Sequence, residues 1–77
     1  MNEYGVEMIP VSSSNVQAIG YDELNQVLYV RFISNNSLYS YHGVPKAEFL
    51  GLQNAASVGG YLDQNIKKGS YPYKRLG

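Results

Sequence analysis

Apolar residues, many of them β-branched or aromatic, gather in short runs in the middle of the chain and recur at helical spacing toward its end. Residues 1–10 follow neither pattern and read as an irregular lead-in ending in Met8-Ile9-Pro10, where Pro10 biases Ile9 toward an extended backbone. The polar run Val11-Ser12-Ser13-Ser14-Asn15 breaks any periodicity. Val16 to Tyr21 then suits a first strand, closed by the turn residues Asp22-Glu23-Leu24-Asn25. Val27 to Ile33, rich in β-branched and aromatic side chains, is the strongest strand signal.

Asn35-Asn36 separates that strand from a third, Ser37 to His42. Asn tolerates positive φ, so a two-residue hairpin turn is expected there. Pairing Ser34 with Ser37 sets Phe32 opposite Tyr39 and Val30 opposite Tyr41. Leu28, Val30 and Phe32 then share one face with Tyr39 and Tyr41, and Tyr29, Arg31 and Ile33 share the other with Leu38, Ser40 and His42. Pro45 suits the first position of a helix carrying Ala47, Phe49, Leu50 and Leu52 as a short apolar stripe. Ser57 is a natural N-cap for a second helix, in which Val58, Tyr61, Leu62 and Ile66 recur at helical spacing. Gly69 suits its C-cap, after Lys67 and Lys68 at the negative end of the helix dipole. The expectation is a small α+β fold, β-β-β-α-α: a three-stranded antiparallel meander followed by two short helices that cover one face. Residues 1–77 read as a single domain, with an extended basic tail over 70–77.

Seventy-seven residues bury only about 60% of the surface that the unfolded chain exposes. Small domains offset this with disulfides, metals or association. With no cysteine and one histidine, neither a disulfide nor a metal site is expected, which leaves self-association as the stabiliser. Net charge is zero, against a generic nucleic-acid coat protein. Four of the six basic residues nevertheless follow position 66, and no acid follows Asp63. No run approaches the roughly 20 apolar residues of a membrane span, and no signal peptide is visible. The expected location is cytoplasmic.

The inventory of reactive groups is thin. His42, before Gly43-Val44-Pro45 at a strand end, is expected as a hydrogen-bonded structural residue, and the acids are scattered. No catalytic residue and no cofactor is expected. Binding signals are better. Ser57-Val58-Gly59-Gly60 opens a helix, where small residues let an anion approach unpaired N–H groups; equally, Ser57 caps and the glycines permit tight packing. Ser12, Ser13 and Ser14 offer short donors or form a solvated loop. Tyr39-Ser40-Tyr41 is either core or a stacking platform, and the register favours core. Tyr71-Pro72-Tyr73-Lys74-Arg75 joins rings to cations, as nucleotide-binding surfaces do, or docks its tyrosines on the chain's own core. Eight of the ten aromatics are Tyr, a flat apolar ring with a polar tip that suits either setting.

Taken together, Val11-Ser12-Ser13-Ser14-Asn15, Ala18-Ile19-Gly20-Tyr21-Asp22, Leu38-Tyr39-Ser40-Tyr41, Gly43-Val44-Pro45, Ala56-Ser57-Val58-Gly59 with Tyr61, Asn65-Ile66 and Tyr71-Pro72-Tyr73 resemble the KTSC domain. The likeness spans roughly residues 8–75. That family is named for lysyl-tRNA synthetases that carry it at the C-terminus, and it also occurs as small free-standing bacterial and phage proteins. The resemblance implies two functions. One is a phage-type sponge, an oligomer (dimer or tetramer) that sequesters cyclic nucleotide immune signals without cleaving them, an anti-CBASS role exercised in the host cytoplasm. The other is RNA binding, as suggested for the synthetase domains. In the sponge reading, phosphates meet Ser57, the N–H groups near Gly59 and Ser12, Ser13 or Ser14; Lys74 or Arg75 neutralises charge; Tyr71 or Tyr73 stacks on a base.

Overall fold

In the computed structural model, which describes residues 2–3 in backbone only and residues 5–77, seven strands and two helices follow one another along the chain. The strands are β1 (Asn2–Glu3), β2 (Val6–Glu7), β3 (Ile9–Pro10), β4 (Val16–Asp22), β5 (Val27–Phe32), β6 (Leu38–His42) and β7 (Tyr73–Arg75). Between β6 and β7 lie α1 (Lys46–Gln53) and α2 (Val58–Tyr61), the latter continuing as a π-helical segment, Leu62–Lys67. β3 to β7 form one five-stranded antiparallel sheet in sequential order, and β1 pairs with β2 in a separate ribbon. The fold is α+β as expected, but the three-strand meander is only the middle of a wider sheet.

Both extra strands come from segments with weak signals. The expected irregular lead-in contains β1, β2 and β3; Met1 and Tyr4 of that segment lie outside the described residues. β3 is two residues long and ends in a proline, so it has no alternation to read, yet Ile9 pairs with Ile19 and Pro10 with Ala18. Proline is tolerated there because β3 is an edge strand. The extended tail supplies the opposite edge: Tyr73 pairs with Tyr41, Lys74 with Ser40 and Arg75 with Tyr39.

The central hairpin keeps the predicted faces but not the predicted turn. Val30 lies opposite Tyr39 and Leu28 opposite Tyr41, two residues away from the expected register. A two-residue turn of the favoured kind needs positive φ at both central residues, and here only Asn36 has it, at 51°. The loop instead spans residues 33–36, closed by Phe32 N–H donating to the Ser37 carbonyl at 2.8 Å. Because the slip is even, no side chain changes face. A bulge at Gln17, between the pairs Val16–Phe32 and Ala18–Arg31, then brings Val16 onto the same face as Ile19 despite their odd spacing.

On that face Val16, Ile19, Leu28, Val30 and Tyr41 meet Val44, Leu52, Val58, Leu62 and Ile66 in one buried cluster. Burying each Val, Leu or Ile contributes about 1.5–3 kcal/mol. Of the predicted α1 stripe, Leu52 is buried and Phe49 stacks on Tyr21 with centroids 5.1 Å apart, whereas Leu50 is 44% exposed. Pro45 remains extended (φ −69°, ψ 153°) and caps the helix rather than joining it. Gly69 is not a left-handed cap: Lys68 ends the helix, and Ser70 takes the positive φ of 65°. Gly69 is required for closeness instead, since a Cβ there would lie 2.4 Å from the Asn65 carbonyl oxygen.

The other face is covered by the N-terminal strands. Val6 and Met8 are buried against Gly20, where a Cβ would come within 2.7 Å of Met8 Sδ and 2.9 Å of the Glu7 carbonyl oxygen. Gly20→Ala must therefore lift a backbone segment and not merely turn a side chain. The expected cost is about 1–3 kcal/mol, read as a lower urea midpoint, with faster amide exchange at Val6 to Met8 than elsewhere in the sheet.

Candidate functional site

The helix Val58–Lys67 runs over the sheet and leaves an opening at each end. At its start, loop 12–15 and the first helical turn enclose a shallow recess of about 450 Å³. Ser12, Ser13, Ser14, Ser57 and Gly59, all candidates from the sequence, line it together with Asn15 and Gly60. Ser13 is consumed in shaping the loop: its Oγ donates to Asn15 Oδ1 at 3.0 Å and accepts from the Val16 N–H at 3.3 Å. Ser12 and Ser14 are exposed. Ser57 caps as expected, its Oγ accepting from the Gly60 N–H at 3.1 Å and its carbonyl from the Tyr61 N–H at 2.9 Å. The first N–H groups of a helix have no acceptor inside it, which leaves those of Val58 and Gly59 at the recess. Gly59 lies against Asn15; a Cβ there would be 2.4 Å from Asn15 Oδ1.

At the other end of the helix, a groove of about 410 Å³ opens over the uncovered part of the same sheet face. Its floor is Tyr39, Tyr41 and Tyr73 on neighbouring strands, with Phe32 beside them. Phe32 meets the Tyr39 ring edge-on at 5.6 Å and 89°. The Tyr73 ring is tilted by 38° to Tyr39 and by 36° to Tyr41, with centroids about 6 Å away. Ser34, Asn35, Ser37, Lys67 and Tyr71 complete the lining. The Lys67 ammonium sits 5.1 Å from the Phe32 centroid, a cation–π arrangement.

Glu48 fixes the groove's outer wall. Its carboxylate accepts from the Tyr61 hydroxyl at 2.6 Å and from the Tyr71 hydroxyl at 3.4 Å, so α1 holds two tyrosines from later in the chain. Tyr61 reaches Glu48 by lying across Gly51, where a side chain would have to push the Tyr61 ring aside. The hydrogen bond to Glu48 raises the Tyr61 pKa; for Tyr71 burial contributes most, followed by the Glu48 charge. Tyr41 is pushed up to about 12 by burial and by its neighbours Tyr39 and Tyr73.

The residues expected to form one site thus divide between two openings. The serines and Gly59 meet in the recess, while Tyr71 and Tyr73 line the groove. The tail cations line neither. Lys74 pairs with Ser40 and turns to the opposite face, whereas Arg75 shares the face of Tyr39 but remains exposed beyond the groove. Lys67, expected only to serve the helix dipole, is the cation that reaches the rings. Tyr39 and Tyr41, expected as core, divide: Tyr41 is buried, and Tyr39 is half-exposed in the groove. His42 Nε2 lies 2.9 Å from Ser40 Oγ, the hydrogen-bonded role foreseen. Among the described residues no group of three or more His, Cys, Asp or Glu could hold a metal ion, and no helix is long and apolar enough to cross a membrane.

The family model of the KTSC domain matches residues 12–71. A crystal structure of a KTSC domain protein from Yersinia pestis superposes with a TM-score of 0.86 at 35% identity, covering 94% of this chain and 99% of that one. An uncharacterised protein of Stutzerimonas stutzeri is 34% identical over 71 residues, which is 92% of this chain and 99% of the relative. A protein of Tsukamurella paurometabola is 38% identical over 60 residues, covering 78% and 88% respectively.

The buried tyrosine predicts an alkaline weakness. Tyr41 keeps its proton to about pH 12 in the fold, while in the unfolded chain it is released near 10. Above pH 10 the unfolded state therefore binds fewer protons than the folded one, and stability falls between pH 10 and 12. Below pH 10 the Tyr41 contribution is fully present. Urea midpoints measured across pH 8–12 should drop over this window, and Tyr41→Phe should flatten the drop.

Proposed function

The chain belongs to the KTSC domain family, and from that premise we propose that it is a non-catalytic protein that captures a phosphate-bearing ligand of the nucleotide class in the serine–glycine recess. One observation carries this reading: two segments distant in sequence, Ser12 to Asn15 and Ser57 to Gly60, meet around one opening lined by short donors. Phosphate oxygens accept hydrogen bonds, and this recess offers the exposed hydroxyls of Ser12 and Ser14 beside the N–H groups of Val58 and Gly59. Small residues matter because they admit the anion to the backbone.

Zero net charge supports a compact anion over a polynucleotide track, because polyanion affinity grows with the number of phosphates neutralised. The finer reading is sequestration: a cyclic nucleotide signal is held intact and released slowly. A dimer or tetramer would close the open recess over such a ligand, and sedimentation with and without ligand tests that closure. His42 engaged with Ser40, and Glu48 with two tyrosines, are groups placed for structure, which supports a binding role over a chemical one.

Thermal denaturation with cyclic dinucleotides and cyclic trinucleotides is the test. A ligand present at a hundredfold excess over its Kd should stabilise the fold by about 2.7 kcal/mol, which for a chain of this size raises Tm by roughly 10–20 °C. Gly59→Ala, whose methyl must displace the Asn15 amide and its hydrogen bond from Ser13, should abolish the shift and lower the ligand-free Tm. Ligand recovered after denaturation should be intact; linear products would make the protein an enzyme. Salt-steep binding to a short single-stranded RNA, with no response to cyclic nucleotides, would replace this reading by RNA recognition.

A further inference from the structure

The groove at the far end of the helix is a second opening with different chemistry from the recess. Hydroxyls and backbone N–H groups line the recess; rings and one ammonium line the groove. We propose that the groove is a ring-binding subsite that takes a planar heteroaromatic group, the base of a nucleotide, with Lys67 receiving the attached anion. The identity of the ring as a nucleobase rests on the nucleotide reading above, whereas the geometry of the subsite does not.

Three features carry the assignment. First, Tyr73 is 65% exposed although it lies in a strand beside two other tyrosines, so an apolar ring face is left without cover. Its tilt of 36–38° to Tyr39 and Tyr41 forms a wedge and not a closed stack. Flat rings enter such openings because every base presents a π-face, and each stacked base contributes about 1–3 kcal/mol. Second, the floor is held rigidly. Tyr41 is anchored in the core, Phe32 braces Tyr39 edge-on, and Glu48 ties Tyr71 to α1. Third, polar side chains accompany the rings in the lining. Asn35 carries a donor and an acceptor in one amide, suited to a base edge. Lys67 lines the same groove with its ammonium already over the Phe32 ring. The volume of about 410 Å³ falls within the usual range for small-molecule sites, about 300–1,000 Å³.

The groove and the recess lie at opposite ends of a ten-residue helix, Val58 to Lys67, on the order of 10 Å apart given a rise of at most about 1.5 Å per residue. The anion beside a base in the groove is therefore met by Lys67 and not by Ser57.

The test follows the ring protons of Tyr39 and Tyr73 by NMR while adenosine, adenosine 5′-monophosphate or ribose 5-phosphate is added to the full chain. Adenosine and its monophosphate should shift both tyrosines, and ribose 5-phosphate should not. Tyr73→Ala, at an exposed edge position, should weaken adenosine binding roughly tenfold, while Tyr73→Phe keeps it. Lys67→Gln should weaken the monophosphate by a larger factor than it weakens adenosine. Unmoved Tyr39 and Tyr73 resonances with both adenine probes, or equal adenosine affinity in Tyr73→Ala, would overturn the subsite. The two sites fail separately: if ribose 5-phosphate leaves the Gly59 and Val58 amides unmoved while adenosine still shifts Tyr39 and Tyr73, the phosphate recess is lost and the ring subsite stands.

Discussion

A helix of ten residues laid over a five-stranded sheet cannot cover it, and the rest of this molecule is arranged around that shortfall. Val58, Leu62 and Ile66 fasten the helix to Ile19, Leu28, Val30 and Tyr41, which fixes its position and leaves both ends over incompletely covered ground. At the first end, the polar loop 12–15 rises to meet the helix, and Gly59 lets the Asn15 amide settle against it. At the second, the chain turns through Ser70 and returns as β7, widening the exposed floor by one tyrosine. The two openings are thus consequences of packing a short helix on a wide sheet.

Tyrosine makes this arrangement tolerable. A Leu or Phe left half-covered at the sheet margin would expose apolar surface without compensation, whereas tyrosine keeps a polar tip for water or a partner. Tyr21 donates to the Val44 carbonyl, and Tyr61 and Tyr71 share the Glu48 carboxylate. Each bond joins an aromatic body in the packed layer to a group at its rim. Glu48 does so across 13 and 23 residues of sequence, which couples α1 to both the helix and the tail. The wall of the groove is therefore tied to the core rather than hung from a loop.

Much of the fold was legible because its signals are local. The β-branched and aromatic run from Val27, the Ser57 cap and the recurrence of Val58, Leu62 and Ile66 each follow from neighbouring residues, and the structure keeps all three. The face assignments survived even though the hairpin turn was misjudged, since a slip of two residues preserves side-chain parity. Strands β2, β3 and β7 were not legible as members of sheets. They are too short for periodicity, and what holds them is the edge of another strand. The bulge at Gln17 was likewise invisible, because it depends on the partner strand and not on the residue.

The same division applies to the candidate site. From the sequence came the inventory: serines before β4, a capped glycine pair, and tyrosines in β6 and the tail, each a matter of composition and short spacing. Assembly came only from the tertiary structure. It brought Ser12 to Ser14 against Ser57 and Gly59, moved Tyr71 and Tyr73 to a different opening, replaced Lys74 and Arg75 by Lys67 beside the rings, and made Glu48 the shared acceptor of two tyrosines. The physical reason is that residue type and spacing fix what a segment can offer. Which offers meet is decided by where a short helix must sit to bury Val58, Leu62 and Ile66.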